Sequence, residues 1–210
     1  CRLTICQTQI EEAKMSMTYD NFFASVIGCE NNLNHKKIKS ALIKKCYDIQ
    51  SLKHGDAGWV EKPYTTFNSH NICHDKDFKK INKFVADAVK NYCLINSYDS
   101  NKIQTVPTQG WLNIYKKGDG QEYHTHPRSV ISVIYFLKLP KDSPKVYFKP
   151  PFVDMIDPAI TELTHNNMQL IEINPEEGSV IVFRSHLPHM VARHNSNEER
   201  ISLAYNFLNF

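Results

Sequence analysis

The feature that most constrains the fold is the stretch Arg200-Ile201-Ser202-Leu203-Ala204-Tyr205-Asn206-Phe207, which alternates without a break. Ile201, Leu203, Tyr205 and Phe207 make one apolar face, while Arg200, Ser202, Ala204 and Asn206 make a face that is polar or small. Side chains along a strand point to opposite sides with period two, so this strand has a core on one side and something polar on the other. An inward Arg followed two residues later by Ser suits a carboxylate. The guanidinium offers a planar two-donor fork and the hydroxyl adds a third hydrogen bond.

From Thr105 onward the whole pattern is one of strands and turns. Trp111 to Tyr115 alternates, Lys116-Lys117-Gly118-Asp119-Gly120 turns, and Gln121 to His126 returns as the second arm of a hairpin. Val130–Leu137, Lys145–Phe148, Met168–Ile173, Ser179–Phe183 and Arg200–Phe207 follow, punctuated by prolines at 140, 144, 150 and 151. About eight strands with a helical preface predict a mainly β fold with a helical N-terminal part, its core a double-stranded β-helix of the jelly-roll or cupin-like kind. In the preface, Ile38, Leu42, Cys46 and Ile49 recur at helical spacing, with His54-Gly55 as a stop. A second helix is expected from about Asp75, its N-cap, to Tyr92, with a stripe of Phe78, Ile81, Phe84, Val85, Ala88, Val89 and Tyr92. Between the helices, Gly55–Ile72 holds Trp59, Tyr64 and Phe67 without clear periodicity, as a loop or hairpin near an active-site mouth would.

The expected organisation is a helical support region over 18–104 packed on a β core over 105–210, preceded by a disordered or non-native extension over 1–17. The chain starts with Cys1, so translation is expected to begin at Met15 or Met17.

Tyr123-His124-Thr125-His126-Pro127 carries the chemistry. Two histidines spaced i, i+2 on a strand share a face and form half of a metal site. His189 follows the apolar run Ser179–Phe183 and could be delivered to the same point by a second strand, although His186 and His194 compete for that role. Three nitrogen ligands on one side of a metal leave the other side open for substrate and oxygen. Glu122 is an alternative ligand, since it lies two residues before His124. Asn113 and Asn206, on polar strand faces, would contact substrate or hydrogen-bond within the barrel. His35, His54, His70, His74, His165 and His186 read as surface or satisfied core residues.

At these residues the chain resembles the iron(II)- and 2-oxoglutarate-dependent dioxygenases, and within them the prolyl-4-hydroxylase-like branch. That superfamily places a His-x-Asp/Glu pair on one strand and a distal His on another, with an Arg-x-Ser beyond it that binds the far carboxylate of 2-oxoglutarate. Here Pro188-His189-x-Val matches the distal run, Arg200-Ile201-Ser202 follows eleven residues later, and Ile173–Phe183 resembles the turn and strand leading to the distal His. The chain departs from the pattern at His126, where the superfamily has a carboxylate. The subgroup it most resembles, oxygenases of marine phages and bacteria, has a His-x-His-Pro-x-Ser run, which His124 to Ser129 matches. The resemblance covers residues 105–210. It implies iron(II) on His124, His126 and His189, with 2-oxoglutarate held by Arg200, Ser202 and Tyr115, the last nine residues before His124. The implied reaction couples oxidative decarboxylation of 2-oxoglutarate by O2 to hydroxylation of an unactivated C–H bond, in a peptidyl proline, another protein side chain or a small molecule. A neutral imidazole in place of a carboxylate leaves the iron site one unit more positive, which favours a dianionic co-substrate.

Two rival classes keep the same fold. A three-histidine cupin-type dioxygenase or isomerase would have no use for Arg200-x-Ser202, and a non-catalytic jelly-roll binding module would need none of the histidines.

Composition excludes little else. The 210 residues can bury a full core, and a formal charge of +3 without a basic cluster interleaved with aromatics argues against nucleic-acid binding. The six cysteines have no tight metal spacing, and Cys46 and Cys93 fall on apolar helix positions, as buried thiols of a reducing, cytoplasmic setting would. No stretch has the length of a membrane span, and no signal-peptide core precedes the helices.

Overall fold

The computed structural model describes residues 24–52, 55–56, 60–103, 107–151, 158–164 and 167–209. The extension over 1–17, the start at Met15 or Met17, and Trp59, His54 and His165 lie outside them.

Among the described residues ten strands and two α-helices follow in the order β1 (Ile27–Asn31), α1 (His35–Leu52), β2 (Tyr64–Thr65), α2 (Lys79–Ile95), β3 (Gln109–Tyr115), β4 (Gln121–His124), β5 (Ile131–Lys138), β6 (Val146–Phe148), β7 (Ile171–Ile173), β8 (Ser179–Arg184), β9 (His189–Val191) and β10 (Arg200–Phe207). They form a six-stranded sheet of order β1-β8-β5-β10-β3-β2 and a four-stranded sheet of order β4-β9-β6-β7, every pairing antiparallel. Two stacked antiparallel sheets of this kind make the double-stranded β-helix, the architecture that the strand pattern predicts.

Period-two alternation divides the buried residues of the large sheet between two layers. On β5, Val133, Tyr135 and Leu137 face α1 and α2, joining Leu42, Cys46, Val85 and Val89 in the larger core; Ile134 and Phe136 face the small sheet, where they meet Val146, Phe148 and Ile173. On β8, Val180 and Val182 take the helix side and Ile181 and Phe183 the inter-sheet side. The helices cover one face of the sheet, as their stripes require, and burial of such residues at roughly 1.5–3 kcal/mol each supplies the drive for the layering.

Three expectations are corrected. The region 18–104 is not helical throughout: β1 and β2 add strands to both edges of the large sheet, β1 by pairing with β8 from Ile27↔Phe183 to Asn31↔Ser179. Asp75 caps a 3-10 turn, Lys76–Phe78, accepting from the Asp77 N–H, and α2 begins only at Lys79. The segments 111–115 and 121–126 do not pair as a hairpin. β3 pairs with β10 and β2, whereas β4 crosses to the small sheet and pairs with β9. The intervening turn, with Gly118 at φ +94°, a conformation that glycine adopts without strain, redirects the chain between layers.

Among the described cysteines all four are free. Cys46 and Cys93 are buried, whereas Cys29 is exposed, against the expectation of uniformly buried thiols. No described helix is long and apolar enough to cross a membrane.

Candidate active site

β10 is buried along both faces, and the two faces do different things. Ile201, Leu203, Tyr205 and Phe207 enter the helix-side core, while Arg200, Ser202, Ala204 and Asn206 line one wall of a cavity of about 350 Å³ between the sheets. The register Arg200↔Tyr115, Ser202↔Asn113 and Ala204↔Trp111 sets β3 beside it, so Asn113 and Trp111 extend the same wall.

The other wall carries the imidazoles. His124 ends β4 and His189 begins β9, and the two are paired directly in the small sheet. Their ring centroids are 4.2 Å apart, and that of His126 lies 5.2 Å from His124 and 5.1 Å from His189. One ligand nitrogen from each of the three lies within 4.8 Å of the others, so the group can hold a metal ion. The i, i+2 spacing predicts His124 and His126 on one strand. The strand ends at His124, with a register shift between Gln121 and His124, and His126 belongs to the turn that follows. The His126 backbone N–H donates to the Ser185 carbonyl (3.0 Å), and Arg128 adopts φ +74°, turning the chain back toward β5.

Each imidazole has a partner that fixes its tautomer. The Nδ1–H of His124 donates to the Glu122 carbonyl (2.7 Å), that of His189 to the Leu187 carbonyl (3.0 Å), and that of His126 to the Asn206 amide oxygen (2.6 Å). Since these oxygens accept and the protons sit on Nδ1, Nε2 is the lone-pair nitrogen in all three rings. Burial pushes all three below the ordinary histidine value: His126 to about 4, His189 well below with its two imidazole neighbours adding to the effect, and His124 more modestly. The rings are thus neutral near neutral pH, the form that ligates metal.

Glu122 is not part of this group. One of its carboxylate oxygens accepts from the backbone N–H of Val60 (2.7 Å), and no acidic side chain is among the described residues that line the cavity. Of the competing histidines, His194 is buried elsewhere, its Nε2 against the Glu198 carbonyl, and His186 is exposed.

Among the described residues that line the cavity, Arg200 is the one with a permanent charge. It is fully buried, its guanidinium carbon 4.9 Å from the ring centroid of Tyr115 and 5.6 Å from that of Phe136, and none of its three side-chain nitrogens has a hydrogen-bond partner. Burial lowers its pKa. A buried guanidinium with every donor unused is costly unless an anion completes it. Tyr115 does not line the cavity; its hydroxyl donates to Gln121 (2.7 Å), and burial pushes its pKa up to about 12. Gln121 does line it, with Asn113, whose buried amide oxygen is also without a partner. At the mouth, Phe67 meets Trp111 edge to face at 4.8 Å, and Trp111 stands 5.6 Å from His126. Phe67 follows β2, so the sequence placed this loop near the mouth but gave no sign of which side chain would enter.

Three neutral nitrogen donors beside a mostly apolar pocket, with an unpartnered guanidinium that calls for an anion, fit a divalent metal with a dicarboxylate. Residues 109–206, a little under half of the chain, match the family model described as "Putative 2OG-Fe(II) oxygenase", where 2OG is 2-oxoglutarate. No curated protein matches in sequence. Among solved structures, the chain is similar in fold to a prolyl-4-hydroxylase of Pseudomonas putida, with a TM-score of 0.56 and 14% identity over 88% of this chain and 92% of that one. It is similar to a Trichoplax adhaerens prolyl hydroxylase in complex with a hypoxia-inducible-factor peptide fragment, with a TM-score of 0.58 and 12% identity over 87% and 83%. The epimerase SnoN, in complex with Fe3+, α-ketoglutarate and nogalamycin RO, gives a TM-score of 0.65 at 8% identity over 87% and 78%. Residues 109–206 thus resemble the 2OG-Fe(II) oxygenases, oxidoreductases whose chemistry takes Fe(II), 2-oxoglutarate and O2, and the chain shares its fold with the solved structures above.

Proposed function

We propose that the chain is a dioxygenase that holds Fe(II) on His124, His126 and His189, takes the far carboxylate of 2-oxoglutarate on Arg200 and Ser202, and hydroxylates an unactivated C–H bond of a protein side chain, peptidyl proline being the first candidate. The observation that carries this reading is the buried Arg200 guanidinium, which has no partner of its own and lines the same cavity as the three imidazoles. A cupin-type enzyme without 2-oxoglutarate would leave that charge buried to no purpose.

Bound iron supplies the redox chemistry of oxygen activation. The protein's own residues do the rest. The Nδ1 hydrogen bonds to Glu122, Leu187 and Asn206 orient the three rings before any metal arrives, so little rearrangement opposes binding. Arg200 and Ser202 select a dianion of the right length, and Tyr115 braces the guanidinium from below while tying Gln121 to the wall. Phe67 and Trp111 give the mouth an apolar face that suits a ring such as that of proline and keeps water from the reacting centre. The peptide-bound Trichoplax adhaerens neighbour supports a peptide substrate.

The test is an anaerobic titration of the Fe(II)-loaded protein with 2-oxoglutarate. A weak visible charge-transfer band that saturates at one equivalent, and succinate released on admitting O2, are the expected results. Metal binding without any response to 2-oxoglutarate would return the site to the cupin class.

A further inference from the structure

His124 and His189 set their tautomers locally, each donating Nδ1–H to the backbone carbonyl two residues earlier. His126 lies past the end of the strand, and its Nδ1–H goes elsewhere. Its acceptor is a side chain eighty positions away, the amide oxygen of Asn206 on β10. That oxygen also accepts from the Ser132 hydroxyl (2.9 Å), which shares a hydrogen bond with Ser185 (2.8 Å), and the Asn206 amide nitrogen donates to Gln109 (3.1 Å). Ser132 and Ser185 are fully or nearly fully buried and Asn206 is 4% exposed, so water is a poor substitute for any of these partners. Ser185 in turn accepts the His126 backbone N–H through its carbonyl.

We propose that Asn206 is the positioning residue for His126, holding that ring with its proton on Nδ1 and its Nε2 toward the metal, and doing so without adding a charge. This rests on the reading of His124, His126 and His189 as the metal site. Three neutral imidazoles leave both charges of a divalent ion uncompensated, beside the charge of Arg200. Because the acceptor behind His126 is an amide and not a carboxylate, the site keeps both for the dianionic co-substrate. Asn206 lies on the same face of β10 as Arg200 and Ser202, so one strand orients the odd imidazole at one end and presents the carboxylate-binding fork at the other.

Partners of this kind change metal affinity by about 10–100-fold when removed. The experiment compares wild type with Asn206→Ala, Asn206→Asp, His126→Ala and His189→Ala, using competitive titration of Co(II) against a chelator and, in metal-free protein, long-range ¹⁵N–¹H correlation of the imidazoles. The expected results are a Co(II) affinity in Asn206→Ala that is lower by about 10–100-fold, a His126 signal that shifts from the Nδ1–H form toward a mixture of tautomers, and rescue of both by Asn206→Asp, whose carboxylate still accepts from His126 and Ser132. His126 in the Nε2–H form in wild type, or Co(II) affinity unchanged in Asn206→Ala while His126→Ala and His189→Ala lose it, would overturn the role of Asn206 alone. Undiminished Co(II) binding in His189→Ala would overturn the metal-site reading beneath it. The tautomer measurement needs no metal and stands apart from that second failure.

Discussion

Replacing Arg200 by Leu separates a ligand-binding charge from a structural one. The guanidinium is buried, set over the rings of Tyr115 and Phe136, and without an acceptor for any of its nitrogens. Its removal therefore deletes no hydrogen bond, and the lost cation–π contacts are offset by relief of an unpaired buried charge. The variant should melt no lower than wild type in the absence of 2-oxoglutarate. With co-substrate the balance reverses, because truncating one partner of a desolvated, hydrogen-bonded charge pair costs about 2–5 kcal/mol, or roughly 30- to several-thousand-fold in Kd. Thermal melting with a redox-inert divalent metal reads both effects. At a 2-oxoglutarate concentration of 100 times the wild-type Kd, wild type gains about 2.7 kcal/mol, which is roughly 5–10 °C for a chain of this size. A variant binding a hundredfold more weakly gains about 0.4 kcal/mol, about 1 °C, at the same concentration. A full 2-oxoglutarate shift in the Leu variant would refute the assignment. So would a variant that melts many degrees below wild type without ligand, since Arg200 would then be a structural group.

The remaining predictions concern the metal and the frame around it. His124→Ala and His189→Ala should each abolish stoichiometric Fe(II) binding while circular dichroism is unchanged, and full metal occupancy in either would sink the ligand set. His126→Asp restores a carboxylate at the divergent position and should keep metal with altered activity. Glu122→Gln should leave metal affinity within about twofold, because Glu122 is occupied by Val60 and not by the cavity; the opposite pair of results would make Glu122 the ligand. Gly178 has φ +83°, and a Cβ there would come within 2.6 Å of the His35 ring. Gly178→Ala should therefore lower stability by about 1–3 kcal/mol in a denaturant melt with metal binding retained. An unchanged midpoint would mean that the β7–β8 turn relaxes freely.

The legible parts of this protein are those whose pattern has one solution. β10 alternates over eight residues, so its two faces, and the presence of Arg200 and Ser202 on the same one, follow from the residues alone. The stripes of α1 and α2 likewise match one sheet face. β1 was not legible. Ile27-Gly28-Cys29-Glu30-Asn31 has neither alternation nor a β-rich composition, and becomes a strand through its ladder to β8. The apparent hairpin before His126 failed for the opposite reason, since the turn residues are real but a turn does not say which strand the returning segment will pair with. The spacing His124-x-His126 suggested a shared strand face, whereas the two rings meet across a strand end and a turn. Asn206 stood out only as a polar residue on the cavity face of β10. Its bond to His126 depends on two strands in different sheets, a relation no local pattern records.

The place of β10 in its sheet also bears on how the protein is made. It lies between β5 and β3 yet follows every other strand of that sheet in the sequence. As the chain emerges from a ribosome, β1, β8 and β5 can assemble as one ribbon and β3 with β2 as another, each with an open hydrogen-bonding edge toward a gap that only β10 fills. Until then neither ribbon completes the helix-side core, because Leu203, Tyr205 and Phe207 are missing from its middle. Pairings this distant in sequence are slow to form and leave sticky edges exposed meanwhile. A nascent chain that carries all three imidazoles but has not yet delivered residues 200–207 is the species most prone to aggregate, and lowering the growth temperature or slowing initiation should raise the yield of folded protein more than any single surface substitution.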